Sequence, residues 1–359
     1  MENEVMDDRG SGSFKERDFV PVQQSGKHLK VDIHAHLNVA SAAQFIRNAV
    51  PDAPNPLPFS CPATDAENGK LFQRIGPALN GVEQRIKDMD KMGVDVQAIS
   101  PSPGQYYYFA PDDIGRDACR LINDGIAQAV AQHPDRLVGM GMVPLQNTQM
   151  AIMEMRRCVR ELGFRGIEIS TNVNGRELAD EGFRPFFAAA EELGVVLFLH
   201  PLGFSHGQRL SKHYLDNIIG NPLESTIAVS HLIFEGVLER HAGLKLCVAH
   251  GGGFLPGYWG RMDHAYKTRA DCCEHISRKP SAFLRQIWLD TLVFDKDQLD
   301  ALVRTHGADK LCMGSDYPFD MGEPDPVGFH SRLDDATKQK IFGGNAASLL
   351  GIRGKHVSV

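Results

Sequence analysis

Residues 29–38 read LKVDIHAHLN. An apolar run that ends in two histidines one residue apart has the period of a β-strand. Side chains at i and i+2 of a strand share a side. His34 and His36 therefore face together at the strand's C-terminal end. Whether they are packing residues or working ones depends on what the rest of the chain brings to them.

Seven further runs resemble the first: VDVQAISP (94–101), RLVGMGMVPL (136–145), FRGIEIS (164–170), VVLFLHP (195–201), LKLCVAHGG (244–252), QIWLDTLV (286–293) and KLCMGSDYP (310–318). Helix-like patterns separate most of them, and several close on glycine just before the next run, as in KMGVD, ELGFR, ELGVV and HAGLK. A glycine after a helix C-terminus tolerates the left-handed cap. Strand and helix in alternation predict parallel pairing. Eight such units predict an α/β fold of the (β/α)8 TIM-barrel type over residues 30–355. No GxGxxG follows the first strand, which argues against a dinucleotide-binding sheet. Two long connections interrupt the pattern, residues 38–80 after the first strand and 202–222 after the fifth. Both follow strand C-termini, the face on which barrel active sites are built. The first, rich in Pro, Asn and Ala, is expected to be an insertion or lid.

The bulk numbers fit one large unit. The chain has 359 residues, 42% apolar and 23% charged, with a formal net charge of −7. An acidic surface gives no general attraction to nucleic acid or to an anionic membrane, and no apolar run approaches the ~18 residues of a membrane span. Residues 1–29 open with MENEVMDDRGSGSFKERDF, which has no apolar core of a secretory signal. They are expected to form a disordered or extended leader. Seven cysteines, an odd number without a CxxC pair, argue against a disulfide framework and a cysteine metal site. A reducing cytoplasm is the expected compartment.

The strand ends carry the chemistry. The fifth strand ends in His200, the sixth in His250 and the eighth in Asp316. One histidine at a strand end is usually a satisfied polar residue. Packing alone gives no reason to place imidazole or carboxylate repeatedly at one end of a barrel, and imidazoles plus a carboxylate are a common donor set for a divalent metal.

HxH on the first strand, His on the fifth and sixth, and Asp on the eighth resemble the amidohydrolase superfamily. VDIHAHL, MDKMGVDVQAIS, VPLQ, FLHP, GQRL, AHGGGF, GRMDHAY and GSDYPF look like its branch containing 2-amino-3-carboxymuconate-6-semialdehyde decarboxylase and related aryl-acid decarboxylases. The resemblance is collinear from about residue 30 to 350. It implies one zinc ion per chain, or another divalent metal such as manganese, held by His34, His36, His200 and Asp316. It implies His250 as general base and later acid, roles that an imidazole commonly fills. Two arginines are expected to bind substrate carboxylates through their bidentate fork. Arg261 would enter from the partner subunit of a homodimer, and Arg74 would come from the first insertion.

The chain also departs from that branch. HPLG follows the fifth strand, so Leu202 and Gly203 stand where the branch has Trp and Asp, and His213 stands where it usually has Trp. GQYYYFAP (104–111) offers an aromatic wall or loop packing in equal measure. The fourth strand has no lysine to bridge two metals. Its Glu168 alternates with Ile167 and Ile169 and reads as a carboxylate in a polar barrel layer, with a ligand to a second metal as the alternative. The expected activity is a non-oxidative decarboxylase of an aromatic or unsaturated ring-cleavage acid. His250, a water on the metal and Asp316 all remain candidates to protonate the carbon. The alternative keeps the metal and hydrolyses or hydrates a related carboxylate substrate.

Overall fold

The computed structural model describes residues 19–356. After β1 (Val20–Gln24), eight parallel strands form one sheet in chain order. They are β2 (Val31–Leu37), β3 (Val96–Pro101), β4 (Leu137–Gly141), β5 (Gly166–Ile169), β8 (Val196–Leu199), β9 (Lys245–Val248), β10 (Trp288–Asp290) and β11 (Leu311–Cys312). A separate hairpin pairs β6 (Asn172–Val173) with β7 (Arg176–Glu177). The segment after β11 returns to β2: Ile33 N–H donates to Met313 O at 2.9 Å, Asp316 N–H to His34 O at 2.8 Å and His36 N–H to Tyr317 O at 2.8 Å. Those bonds close the sheet into a (β/α)8 barrel.

Each of the eight runs read from the sequence contains one barrel strand. His200, His250 and Asp316 lie just past the last paired residues of their strands, whereas His34 and His36 lie within β2. Alternation then sorts the side chains. Val196 and Phe198 join one buried cluster with Val96, Ala98, Val138, Met140, Cys247 and Cys312. Leu197 and Leu199 pack with the helices instead. His200 continues the Val196–Phe198 side, so it emerges above a barrel filled by apolar side chains.

The surrounding helices are α1 (Ala40–Ala49), α2 (Pro62–Asn80), α3 (Glu83–Met92), α4 (Asp112–Gln132), α5 (Thr148–Arg160), α6 (Arg184–Leu193), α7 (Asn221–Phe234), α8 (Val237–Arg240), α9 (Leu255–Thr268), α10 (Pro280–Leu284) and α11 (Lys296–His306). Three short helices follow, α12 (Pro326–Phe329), α13 (Asp335–Gln339) and α14 (Asn345–Leu350). Of the expected glycine caps, Gly93, Gly163 and Gly194 take positive φ, while Gly243 does not. The insertion over 38–80 is mostly helical, α1 and α2 joined by residues 50–61.

Of the leader expected over residues 1–29, residues 1–18 lie outside the described residues. Val20–Gln24 pair in parallel with β12 (Ile352–His356), so the two ends of the described chain are tied together. No helix among the described residues is long and apolar enough to cross a membrane.

Candidate active site

His34 and His36 leave β2 on one side, both fully buried, with their Nε2 atoms 3.1 Å apart. Asp316 Oδ1 lies 3.4 Å from His34 Nε2 and 3.2 Å from His36 Nε2. The His200 ring centroid is 5.0 Å from that of His34 and 4.8 Å from that of His36. His34, His36, His200 and Asp316 each offer one ligand atom, all within 4.8 Å of one another, and all four residues are buried.

Their hydrogen bonding tests whether this set fits a cation. His34 Nδ1 meets Asp290 Oδ2 at 2.7 Å and His36 Nδ1 meets Pro101 O at 2.9 Å, so in both the outer nitrogen is engaged and Nε2 faces inward. Both ring nitrogens of His200 and Oδ1 of Asp316 are buried without a hydrogen-bond partner. An unpaired buried polar atom costs about 1–3 kcal/mol. Three such atoms beside two inward-facing imidazole nitrogens fit a divalent cation.

The electrostatics agree. Burial lowers the His200 pKa well below its ordinary value, and the neighbouring imidazoles add to this, so it is a neutral donor. Burial would raise Asp316, but His34, His250 and His36 outweigh it and hold the carboxyl well below the usual range. Burial would lower His34, but the Asp316 and Asp290 carboxylates push it up to about 10. Two acids thus gather positive charge where a metal would sit.

His250 stands beside this set. Its Nε2 is 3.8 Å from Asp316 Oδ2, and its ring centroid is 4.9 Å from that of His200. The side chain is only partly buried and lines the adjoining cavity. Its backbone is left-handed, with φ 56°, as is that of Asp316, with φ 58°. Such conformations cost about 1–3 kcal/mol in a residue with a side chain and gather at functional sites. The glycines after His250 make the turn feasible: Gly251, Gly252 and Gly253 all have positive φ.

The cavity above the site measures about 600 Å³. Leu57, Phe72 and Leu202 are among its apolar walls, and Asn38, Asn80 and Asn217 among its neutral polar groups. No Lys or Arg among the described residues of this chain lines it. Arg74 and Arg261 are exposed, on α2 and α9, and neither reaches this chain's cavity. Arg74 lies off the face of α2 that carries the lining residues Asp65, Asn68 and Phe72. Leu202 and Gly203 line the cavity, whereas His213 is exposed and does not. Of the GQYYYFAP aromatics, Tyr107 lines the cavity. Tyr106 turns behind the site and donates to Glu168 Oε1 at 2.5 Å. Glu168 Oε2 has no hydrogen-bond partner and lies 3.6 Å from His36 Nδ1. Glu168 is outside the four-residue metal group.

Two buried groups escaped the sequence reading. Asp290 ends β10 and touches His34. Its signal was present, an acid at a strand end like His200 and Asp316, inside QIWLDTLV. Arg85 of α3 is fully buried and donates to Gln97 Oε1 at 2.9 Å, to Ala78 O at 3.3 Å and to His36 O. No strand-end pattern marks it.

The chain is similar to known proteins along nearly its whole length. The family described as amidohydrolase matches residues 31–352. A 2-amino-3-carboxymuconate-6-semialdehyde decarboxylase of Dictyostelium discoideum is 36% identical over 297 residues, 82% of this chain and 83% of that protein. Among solved structures, 5-carboxyvanillate decarboxylase from Sphingomonas paucimobilis superposes with a TM-score of 0.80 at 23% identity, covering 91% of this chain and all of that one (100%). Dihydroxybenzoic acid decarboxylase from Polaromonas sp., with bound manganese and the inhibitor 2-nitroresorcinol, superposes with a TM-score of 0.76 at 22% identity, covering 90% and 97%.

Proposed function

The chain belongs to the amidohydrolase family, and on that footing we propose that it is a metal-dependent, non-oxidative decarboxylase of an aromatic or unsaturated carboxylic acid. The observation that carries this reading is the buried set of unpartnered donors on His200 and Asp316 facing the inward nitrogens of His34 and His36. Those four residues would hold one divalent cation, zinc or manganese. When bound, it supplies a Lewis acid that fixes and polarises an oxygen of the substrate.

The protein's own residues do the rest. The apolar walls at Leu57, Phe72 and Leu202 take a planar substrate body and exclude water from it. His250 faces the cavity beside Asp316 and delivers a proton to the carbon as its bond to the carboxyl carbon breaks. The bonding pair stays on that carbon, takes the proton, and CO₂ departs. A positioned general acid of this kind contributes about 10²–10⁴-fold. A second carboxylate finds no Lys or Arg among the described residues that line the cavity of its own chain. Arg261 of a partner subunit would supply one, which makes the working unit a homodimer. Arg74, turned off the cavity face of α2, is the weaker of the two arginine assignments.

The test is metal content of the purified protein, read with CO₂ trapping over a panel of aromatic and muconic-type acids. About one metal per chain, and CO₂ release that fails in His250→Ala, is the expected result. Metal without CO₂ from any acid moves the reading to hydrolysis or hydration. Absence of metal under loading conditions overturns the assignment of His34, His36, His200 and Asp316.

A further inference from the structure

We propose that Asp290 is a positioning residue that sets the metal-binding tautomer of His34 and the placement of His250 together. The inference rests on the metal set proposed above and concerns a residue outside it. Asp290 is fully buried at the end of β10, with every close partner a donor. Oδ2 meets His34 Nδ1 at 2.7 Å and accepts from the His250 backbone N–H at 2.9 Å. Oδ1 accepts from Gly251 N–H at 2.7 Å and from Leu292 N–H at 3.1 Å. One carboxylate thus holds a proposed metal ligand by its side chain and the proposed acid–base residue by its backbone.

The consequences follow from the donor inventory. A carboxylate is acceptor-only, so a His34 that holds a cation through Nε2 keeps its one proton on Nδ1, against Asp290. The bonds to His250 and Gly251 pin the first two residues of a left-handed run, the conformation least able to hold itself. The packing leaves Asp290 little freedom. A Cβ on Gly314 would come within 3.0 Å of both Asp290 Cβ and His34 Cβ, so a residue without a side chain lets the pair meet.

An amide in the same place cannot serve both ends. With its NH₂ at the Oδ2 position, Asp290→Asn sets a donor against His34 Nδ1–H and His250 N–H. His34 then shifts its proton to Nε2 and loses its inward lone pair. With the NH₂ at the Oδ1 position, the donors of Gly251 and Leu292 go unpaired and the His250 turn loosens.

The experiment compares wild type, Asp290→Asn and Glu224→Gln, the last removing a buried carboxylate that holds Thr171, Asn172 and Ser205 away from the metal set. Zinc affinity is measured by chelator competition, and kcat at saturating zinc. The expected outcome is a 10–100-fold weaker zinc affinity in Asp290→Asn. A kcat deficit should persist at full occupancy and be less than additive with His250→Ala. Zinc affinity within threefold of wild type overturns the proposal, as does an equal loss in Glu224→Gln. Histidine side-chain ¹⁵N NMR of the zinc-loaded wild type gives a reading that does not depend on the variant folding. His34 protonated on Nδ1 is expected, and the opposite tautomer overturns the proposal. If the wild type binds no zinc, the metal reading fails; if it binds and Asp290→Asn binds equally, only the Asp290 inference fails.

Discussion

At the scale of single residues, two buried histidines show the difference between packing and function. His330 is 1% exposed, with Nδ1 donating to Pro326 O at 2.6 Å and Nε2 accepting from Thr291 Oγ1 at 2.9 Å. His200 is 4% exposed and uses neither nitrogen. Sequence alone tells them apart only through position, since His200 ends a strand run and His330 sits in no pattern. Asp290 sits inside its run and ends β10, but its work is done through His34, a pairing across 256 positions that no local pattern displays. His330 carries a prediction about stability. Burial lowers its pKa to about 4, against 6.5 for an ordinary histidine. The unfolded chain therefore binds the extra proton first, and stability present above pH 6.5 is lost as pH falls toward 4, by up to a few kcal/mol. Urea unfolding at pH 7 and pH 5 should show this loss in wild type and a shallower one in His330→Gln. Equal slopes would sink the assignment.

The element that sets the acid–base residue is the turn His250–Gly253. A Cβ on Gly253, at φ +64°, would come within 2.3 Å of Pro222 O, and backbone there cannot step aside. Gly257, two positions into the next helix turn, has nothing within 4 Å. Gly253→Ala should therefore destabilise the protein by about 1–3 kcal/mol and lower kcat. Gly257→Ala should be neutral or stabilising by up to about 1 kcal/mol, because alanine is the better helix former. Denaturant midpoints and kcat for the pair check this; similar behaviour in both would show that the turn is not strained. Elements of this kind were legible to different degrees. The strands announced themselves through short apolar runs, and three of the four expected glycine caps take positive φ. The helices of the 38–80 insertion were hidden by proline. Pro51, Pro54, Pro56 and Pro58 crowd the link, while Pro62 sits in the first turn of α2, where a missing N–H costs nothing.

For the whole molecule, the barrel was legible because its period repeats eight times, and closure of the barrel is what converts distant strand ends into one site. His34 and Asp316 are 282 positions apart and within 3.4 Å. Assembly beyond one chain is expected from resemblance alone, because a surface arginine looks the same whether or not it has a partner. The geometry sharpens that expectation. Among the described residues no Lys or Arg lines the cavity, and Arg261 lies exposed on α9 beside Tyr258, which is 59% exposed. If Arg261 serves the neighbouring subunit, activity toward a two-carboxylate substrate should be recoverable from two defective chains. In a mixed dimer of Arg261→Ala and His250→Ala, one site receives both defects and the other receives neither. Mixing the two inactive proteins after dissociation should restore up to one working site per mixed dimer, while each alone stays inactive. Were Arg261 to act within its own chain, every site in the mixture would keep one defect and no activity would return. A fully active monomer by light scattering at assay concentration would remove the shared site altogether.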